Sequence, residues 1–449
     1  MNKKTDSWLQ NLWRDLGRSS RWLMPGLGVK RWVFVILLGT TLLGIGFGIF
    51  ILDVYRSTPS DAQPWWIALL STIALRALAR PIRVLIFGSL GVGLVLGGIW
   101  GLNRALLSPY IQPGKTVVDT LAGHRRRERG PRVVVIGGGH GISMLLRGLK
   151  AYTHNLTAVV TVADDGGSSG RLRRSMGILP PGDLRNCLAA LSNDEALLTQ
   201  LFQYRFANGG ADLVGHSFGN LFISALAELT GSFEEAIAES GRVLAVHGRV
   251  LPSSLHDVKL VADIVPPHTN QEIRIAGESR IPETKGRIHR VWLEPDNPPA
   301  FPGVIKALLS ADLILIGPGS LYTSILPNLL VPDIAAAIQA SPALKIYVAN
   351  VATQPGETDG FNCADHVQAL EDHVGGGLFD LLVCNLNYEG KLLDGMNWVT
   401  IDEDFVPNYA VYKADLVDED EPWHHDEAKL AQVLIDIYQD RTGALAESQ

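Results

Sequence analysis

Two glycine-rich segments carry the residue types with which proteins hold phosphate groups. Gly137–Gly141 (GGGHG) follows a short apolar run, and Asp164–Gly170 (DDGGSSG) follows a second one. Glycine has no Cβ atom, so its backbone N–H group can approach an anion closely, while arginines such as Arg171 and Arg173 neutralise charge. The two segments therefore predict a phosphate-binding site. The first matches the dinucleotide fingerprint GxGxxG only in part, because Ile142 occupies its third glycine position.

The adjacent carboxylates Asp164 and Asp165 leave two functional interpretations open. They lie near the position where a dinucleotide-binding fold keeps its ribose carboxylate, and two carboxylates beside a diphosphate also suit a divalent cation such as Mg²⁺. Purely structural alternatives stand beside these. The first glycine segment is then only a tight strand-to-helix turn, and the second an Asx-type turn.

A third motif, Gly215–Asn220 (GHSFGN), has the spacing GxSxG of a nucleophile elbow around Ser217. An elbow needs a strong strand before the serine, and the preceding residues read as a loop, so a serine hydrolase is the lesser interpretation. The favoured one is a glycine-rich helix start with Asn220 facing a ligand. Asp183, just before Arg185 in the turn PPGDLRN, is either a helix cap or a ligand contact, with equal weight.

Two later loops have the same character. Ile316–Ser324 (IGPGSLYTS) follows an apolar run and offers glycines and hydroxyls for a second phosphate cradle, although no Gly-Lys-Ser/Thr of a Walker loop is present. Asn350–Asp359 (NVATQPGETD) follows the next apolar run in the same way.

Short apolar runs alternate with amphipathic segments from residue 132 onward, which predicts a nucleotide-binding α/β domain. Continuous Val, Ile and Leu runs indicate parallel strands covered by helices on both faces. Because the carboxyl ends of such strands meet at one edge, all these loops are expected to line a single crevice. The predicted strands lie at 133–136, 156–162, 311–316, 345–349 and 381–384, the predicted helices at 195–206, 220–229 and 427–438, and a β-rich patch at 241–293.

Charge and hydropathy divide the 449 residues into a basic, apolar head and an acidic body. Residues 1–132 carry a net charge of +12 and the remainder −19. The uncharged run 32–52 is long enough to cross a bilayer, and 84–102 is a second candidate. Both flanks are more basic than the loop between them, which places both ends in the cytoplasm. A cleaved signal peptide fits poorly, because the first apolar run begins late and a second follows.

The predicted organisation is a basic cytoplasmic tail (1–31), two transmembrane helices of the inner membrane (32–102), a basic linker (103–131) and one cytoplasmic globular domain (132–449). The acidic body argues against nucleic acid as a partner. Cys187, Cys363 and Cys384 are too far apart in sequence to indicate a zinc site or a disulfide framework.

Several long strings resemble one known family, the YvcK-type gluconeogenesis factors of the CofD (2-phospho-L-lactate transferase) superfamily. They include VVIGGGHGISMLLRGLK, TVADDGGSSGRLRRSMGILPPGDLRNCLAAL, GHSFGNLFISAL and LIGPGSLYTSILPNLLV, and together they cover nearly all of 132–439. The N-terminal head lies outside this resemblance. The sequence also departs from the family near its end, where His424 stands in place of an arginine.

The resemblance implies a three-layer α/β/α, Rossmann-like domain that binds UDP-N-acetylglucosamine and links carbon metabolism to envelope synthesis and cell shape during gluconeogenic growth. It also implies an alternative, a metal-dependent transferase of a phosphate-linked three-carbon acid, with Asp164 and Asp165 near Mg²⁺. No established cofactor or catalytic residue is implied. We also expect a homo-oligomer with regulatory protein partners. The predicted ligand-binding residues are Gly137, Gly138, Gly139, His140, Gly141, Asp164, Asp165, Gly166, Gly167, Ser168, Ser169, Arg171, Asp183, Asn186, Ser217, Asn220, Gly317, Gly319, Ser320, Tyr322 and Thr353.

Overall fold

The structure, a computed structural model, describes the chain from residue 126 to 442. The exceptions are 193–195, 209, 211–212, 268–270 and 403–408, and a few isolated residues between 40 and 95 are described as well. The chain divides into two units, Met1–Arg125 and Arg126–Gln449. The predicted membrane spans, 32–52 and 84–102, lie outside the described residues except at those isolated positions. Among the helices that are described, none is by itself long and apolar enough to cross a bilayer, and one pair bent by 74° would suffice by length and composition only.

Seven parallel strands form the main sheet, in the order β10-β9-β8-β7-β1-β2-β3. The continuous apolar runs of the sequence explain this arrangement, since strands buried on both faces need no polar alternation. The strand bounds are β1 Val133–Gly137, β2 Leu156–Val160, β3 Arg249–Pro252, β4 Lys259–Val265, β5 Ile273–Ala276, β6 Arg287–Glu294, β7 Leu313–Ile316, β8 Leu344–Val348, β9 Leu381–Asn385 and β10 Ala410–Ala414.

Helices cover both faces of this sheet. Val133 and Val135 of β1 face a core shared with α1, α3, α5 and α11, whereas Val134 and Ile136 face a core shared with α7, α9 and α10. The predicted three-layer α/β/α architecture with a mostly parallel sheet is therefore confirmed. The helix bounds are α1 Gly139–Leu149, α2 Gly167–Met176, α3 Gly182–Leu191, α4 Ala196–Gln203, α5 Phe218–Thr230, α6 Phe233–Val243, α7 Pro302–Leu309, α8 Leu326–Leu329, α9 Pro332–Ala340, α10 Cys363–Val374 and α11 Glu427–Thr442.

A second, smaller sheet packs on one face of the domain. It is antiparallel, in the order β5-β4-β6, and its buried residues join the same core as α7 and α10. The predicted β-rich patch at 241–293 contains this sheet, but its first residues end helix α6 and its residues 249–252 form β3 of the main sheet.

The strand order reverses between β1 and β7. After β1 the chain proceeds outward through β2 and β3, and it later returns to pair β7 with the other side of β1. Loops on either side of such a switch point diverge and leave a crevice at the carboxyl ends of the strands, which is where ligands bind in open α/β sheets.

Candidate functional site

The predicted convergence of loops at the carboxyl edge of the main sheet is confirmed. A Cβ atom added at Gly141 would lie 2.5 Å from the carbonyl oxygen of Pro318, so the loops after β1 and β7 pack backbone against backbone. A Cβ atom added at Gly182 would lie 3.3 Å from Oδ2 of Asp164, which brings the start of α3 against the loop after β2. Asn350, after β8, binds the backbone of the loop after β7.

The N-terminus of α1 already faces a carboxylate of the protein itself. Asp183 accepts a hydrogen bond from the backbone N–H group of Gly139, and a Cβ atom added at Gly138 would lie 2.8 Å from its Oδ2. A helix N-terminus is the usual seat of an anion. Asp183 is therefore not a cap of its own helix: it occupies the place that a dinucleotide phosphate takes in this fold. His140, the next residue of α1, is exposed, and its ring centroid lies 6.4 Å from that of His424.

The carboxylates of Asp164 and Asp165 have different partners. Oδ1 of Asp164 accepts the backbone N–H of Gly166 at 2.8 Å, as in an Asx-type turn. Oδ1 of Asp165 accepts the backbone N–H of Ser279 at 2.9 Å, and its Oδ2 lies against Gly277. One carboxylate thus orders its own loop, and the other fixes the turn after β5.

The interpretation of Asp164 and Asp165 as carboxylates beside a divalent cation stays a prediction. The two carboxylates serve different loops, and in the part of the chain described here no three His, Cys, Asp or Glu side chains are arranged to hold a metal ion. Their carboxylate oxygens are hard donors, and Mg²⁺ commonly takes only one or two protein carboxylates beside waters and the phosphates of a substrate.

A cluster of buried carboxyl groups, those of Asp164, Asp183 and Glu278, lies in the crevice. Burial, followed by the charge of Asp164, raises the pKa of Asp183 to about 7. Burial, followed by the charges of Asp164 and Asp183, raises the pKa of Glu278 to about 8. Burial also raises the pKa of Asp164. Near neutral pH Asp183 and Glu278 retain protons in part, so these two carboxyl groups can donate hydrogen bonds to an anionic ligand.

Glu278 was absent from the predicted set. It lies in the one-turn 3₁₀ helix Glu278–Arg280 between the strands of the small sheet, with no glycine loop beside a strand of the main sheet to draw attention to it. The hydrogen bond from the backbone N–H of the next residue, Ser279, to Asp165 holds this turn at the crevice.

The second loop presents its serines through a buried hydrogen-bond network. Oγ of Ser168 lies 3.0 Å from Nδ1 of His216, and Nδ2 of Asn220 donates to it at 3.1 Å and to Oγ of Ser169 at 3.5 Å. Burial, together with Arg171, lowers the pKa of His216, so a neutral imidazole can accept the Ser168 proton. Oδ1 of Asn220 is buried and has no partner. Asn220 therefore faces the second loop, and its contact with a ligand stays a prediction.

Ser217 has a structural role. Its side chain is fully buried, and its Oγ accepts the backbone N–H of Asn220, which makes it the N-cap of α5. His216 binds Ser168, and none of the described residues between α4 and the motif belongs to a strand of either sheet. The serine-hydrolase interpretation is therefore not supported, because the hydroxyl of Ser217 is committed to the helix start.

Two backbone N–H groups of the loop after β7 already donate hydrogen bonds within the protein. Gly317 donates to the carbonyl of Ile136 at 2.9 Å, and Gly319 donates to Oδ1 of Asn350 at 3.1 Å. Pro318 has no N–H group. That this loop cradles a phosphate through Gly317 and Gly319 stays a prediction, because these two N–H groups have partners within the protein. Ser320 of the same loop offers a hydroxyl that is bonded to Gln354 at 2.6 Å.

Two further residues that were predicted to bind the ligand, Thr353 and Tyr322, are buried in the protein interior. Thr353 is 1% exposed and exchanges hydrogen bonds with the backbone of Asn397. Tyr322 is 3% exposed and packs edge-on against Phe361 and His373, and burial raises the pKa of its hydroxyl to about 12. Neither side chain is presented to the crevice.

Arg171 and Arg173 of the second loop and its helix have different partners. Arg173 is paired with Asp257 and donates to the carbonyl of Val258. It also donates to the carbonyls of Ala163 and Asp164 at the second ligand loop, and its role in neutralising ligand charge stays a prediction. Arg171 is exposed and donates to the carbonyl of Val214 at 2.9 Å.

Arg185 is the cation that faces the carboxyl cluster. It is buried, its Nη2 donates to Oδ1 of Asn186 at 2.7 Å, and its buried Nε has no partner. Burial lowers the pKa of its guanidinium to about 10, against the opposing charges of Asp183 and Asp164. Asn186 thus orients the arginine and does not itself need to touch a ligand.

Comparison with known proteins bears on this arrangement. A sequence model of the family described as 2-phospho-L-lactate transferase CofD matches residues 133–442. The chain belongs to the CofD family. Within it, this protein groups with the gluconeogenesis factors: the Bacillus subtilis gluconeogenesis factor is 44% identical over 326 residues, which are 68% of this chain and 98% of that one.

Other relatives agree. A Nostoc sp. relative is 50% identical over 363 residues, covering 79% of this chain and 76% of its own length. The crystal structure of a UPF0052-family protein from Bacillus halodurans is 42% identical, with a TM-score of 0.63, and covers 68% of this chain and 99% of its own. The family resemblance expected from the glycine-rich strings is therefore confirmed.

Proposed function

We propose that this gluconeogenesis factor binds a nucleotide sugar, UDP-N-acetylglucosamine, in the crevice at the carboxyl edge of the main sheet and acts as a regulatory protein. One observation carries the proposal: the loops after β1 and β2 and the start of α3 meet beside the switch point, where unpaired buried polar atoms remain. Such a crevice is the usual ligand site of an open α/β sheet.

The chemistry of the unpaired atoms suits this ligand. Oδ1 of Asn220 is an acceptor for a sugar or ribose hydroxyl, whereas Nε of Arg185 is a donor for a phosphate oxygen. The two serine hydroxyls beside Asn220 lie in the first turn of α2, where backbone N–H groups favour an anion. We therefore place the diphosphate at α2, because Asp183 already occupies the N-terminus of α1.

Isothermal titration of residues 126–449 with UDP-N-acetylglucosamine tests the proposal. We expect saturable heat with the nucleotide sugar and at least about tenfold weaker binding of uridine, which lacks the diphosphate. Ser168→Ala should weaken binding, and Ser175→Ala, on the exposed side of α2, should leave it unchanged. No heat at millimolar ligand would end the proposal.

A second candidate function is a transferase of a phosphate-linked group, as the name of the matching family suggests. The buried carboxyl groups of Asp183 and Glu278 favour it, because their pKa values are raised to about 7 and about 8 and a carboxylic acid near neutral pH can act as a general acid. Turnover of a nucleotide diester, with and without Mg²⁺ and abolished in Asp183→Asn, would support this function. Nucleotide-sugar binding without turnover favours the first.

We further propose that the apolar runs of the N-terminal head anchor the domain to the inner membrane and that the protein links carbon metabolism to cell shape. Extraction of bacterial membranes with alkaline carbonate should leave the full chain in the pellet and release residues 126–449. Deletion of the gene should alter cell shape during growth on gluconeogenic carbon sources, and a variant that cannot bind the nucleotide sugar should fail to restore it.

A further inference from the structure

A cavity of about 350 Å³ opens at the amino-terminal edge of the main sheet, opposite the crevice. The first residues of β1, β2 and β3 and the last turn of α7 form its wall, and nothing in the function proposed above uses it. Its polar lining residues are Arg132, His154, Asn155, Thr157, Arg249 and Ser310.

Arg249 supplies the positive charge of this cavity. Its guanidinium lies 3.4 Å from Oγ1 of Thr157, and among the described residues no carboxylate pairs with it. Arg132 is different, because Asp312 holds it through two hydrogen bonds, of 3.1 and 2.6 Å, and compensates its charge. The cavity therefore contains one fixed, neutralised arginine and one arginine available to an anion.

His154 forms part of the cavity wall in a defined position. Its ring stacks on that of His247 with centroids 4.4 Å apart and planes 5° from parallel. The guanidinium of Arg249 is the donor that suits the oxygens of a phosphate group.

The last residues of the basic linker, 126–131, are bound to this same edge. The backbone carbonyl of Arg127 accepts the N–H of His154 at 3.0 Å, and Nδ2 of Asn155 donates to the carbonyl of Glu128 at 2.9 Å. The side chains of Arg126 and Arg129 remain exposed beside it. Positive charge is thus gathered at the point where the chain enters a domain that is otherwise strongly acidic.

We propose that the cavity at the amino-terminal edge binds a phosphate group, carried by an anionic lipid headgroup or by a soluble phosphate compound. An anionic membrane surface is the nearer source, because the second predicted span ends at residue 102, shortly before the linker that is bound to this edge. The proposal is independent of the nucleotide-sugar site, which lies at the opposite edge of the sheet.

The test uses residues 126–449, since the crystallised relative from Bacillus halodurans consists of this domain alone and is folded. One arm measures sedimentation with phosphatidylcholine vesicles with and without phosphatidylglycerol. The other measures the shift in melting temperature with inorganic phosphate against sodium chloride of equal ionic strength. We expect Arg249→Gln to weaken binding at least about tenfold, since a charge-assisted hydrogen bond is lost, and Arg290→Gln, the same charge change on β6, to leave it unchanged.

The two arms distinguish the sources. A loss confined to phosphatidylglycerol vesicles identifies a lipid headgroup, and a loss confined to inorganic phosphate identifies a soluble compound. The proposal is overturned if Arg249→Gln and Arg290→Gln behave alike in both arms, or if only the double change of Arg126 and Arg129 to Gln reduces vesicle binding.

Discussion

At the scale of single residues, the side chain of Asn220 determines how the serines of the second loop are presented. Replacing it with alanine removes its hydrogen bonds to Ser168 and Ser169. We expect Asn220→Ala to weaken UDP-N-acetylglucosamine binding at least about tenfold and to lower the free energy of unfolding by about 1–2 kcal/mol. Titration calorimetry and denaturant unfolding measure the two effects.

Ser224→Ala is the matched control for this change. Ser224 lies one turn later in α5, is equally buried, and donates only to the backbone carbonyl of Asn220. Its removal should lower stability slightly and leave the affinity unchanged. Equal affinities of wild type and Asn220→Ala would show that the carboxamide does not meet the ligand.

The carboxyl cluster makes stability depend on pH in an unusual direction. The pKa values of Asp183 and Glu278 in the folded protein, about 7 and about 8, exceed their ordinary values of 3.8 and 4.5. At a pH between the ordinary and the folded-state pKa values, the folded protein holds protons that the unfolded chain has released. The free energy of unfolding should therefore fall as pH rises from about 5 to 8. Binding of an anionic ligand should weaken over the same range.

Melting temperatures and ligand titrations across this pH range test the prediction. Asp183→Asn and Glu278→Gln should each flatten both profiles, because the titrating group is gone and hydrogen-bonding capacity is retained. Asp436→Asn, at an exposed position on α11, should change neither. A melting temperature that rises steadily to pH 8 in the wild type would contradict the assignment.

Residue types and their order in sequence could predict the glycine loops and the carboxylates Asp164 and Asp165, because these follow apolar runs, and the glycine-rich motif GHSFGN indicated Asn220. They could not predict that Asp183 binds Gly139 or that Asn350 binds Gly319. These contacts join residues distant in sequence, and they decide which backbone N–H groups remain for a ligand.

At the scale of elements, the tight packing of the β1 loop on the β7 loop depends on Gly141. A methyl group there would meet the carbonyl oxygen of Pro318 at 2.5 Å and Cα of Gly319 at 2.9 Å, both of them backbone atoms that cannot rotate away. We expect Gly141→Ala to lower the free energy of unfolding by about 1–3 kcal/mol, the usual cost of overpacking, and to widen the crevice. Denaturant unfolding provides the measurement.

Gly376→Ala is a suitable comparison for Gly141→Ala, because its new methyl group would meet nothing closer than Oε1 of Glu371 at 3.7 Å. Its effect on stability should be within about 0.5 kcal/mol, as for most surface changes. If both variants unfold at the same denaturant concentration, the two loops are less tightly packed than the structure indicates.

The elements that the sequence pattern predicted well are the buried ones. The strands near 133, 156, 313, 344 and 381 and helices α4, α5 and α11 lie within a few residues of the predicted bounds, because burial on one or both faces imposes an apolar period. Strand β10 was missed, since it is an edge strand whose five residues are all exposed or half-buried. Its position in the sheet depends on pairing with β9, and this pairing leaves no hydrophobic pattern in the local sequence.

At the scale of the whole molecule, the globular domain should function without the N-terminal head. We expect residues 126–449 to melt cooperatively and to bind UDP-N-acetylglucosamine with the affinity of the detergent-solubilised full chain, because both clusters of buried apolar residues lie entirely within this range. Differential scanning calorimetry and titration of the two proteins test this. A truncated domain that aggregates or binds more than about tenfold more weakly would show that the head contributes to the ligand site.

The central position of β1 has a consequence for biosynthesis. Strand β2, which pairs with one side of β1, is synthesised soon after it. Strand β7, which pairs with the other side, begins just after Asp312, and Asp312 is 180 residues away from Arg132. At a synthesis rate of about 5–20 residues per second, one side of β1 therefore stays unpaired for on the order of ten seconds or more. A chaperone that shields that open edge during translation should therefore raise the yield of this protein more than it raises that of a domain assembled from consecutive hairpins.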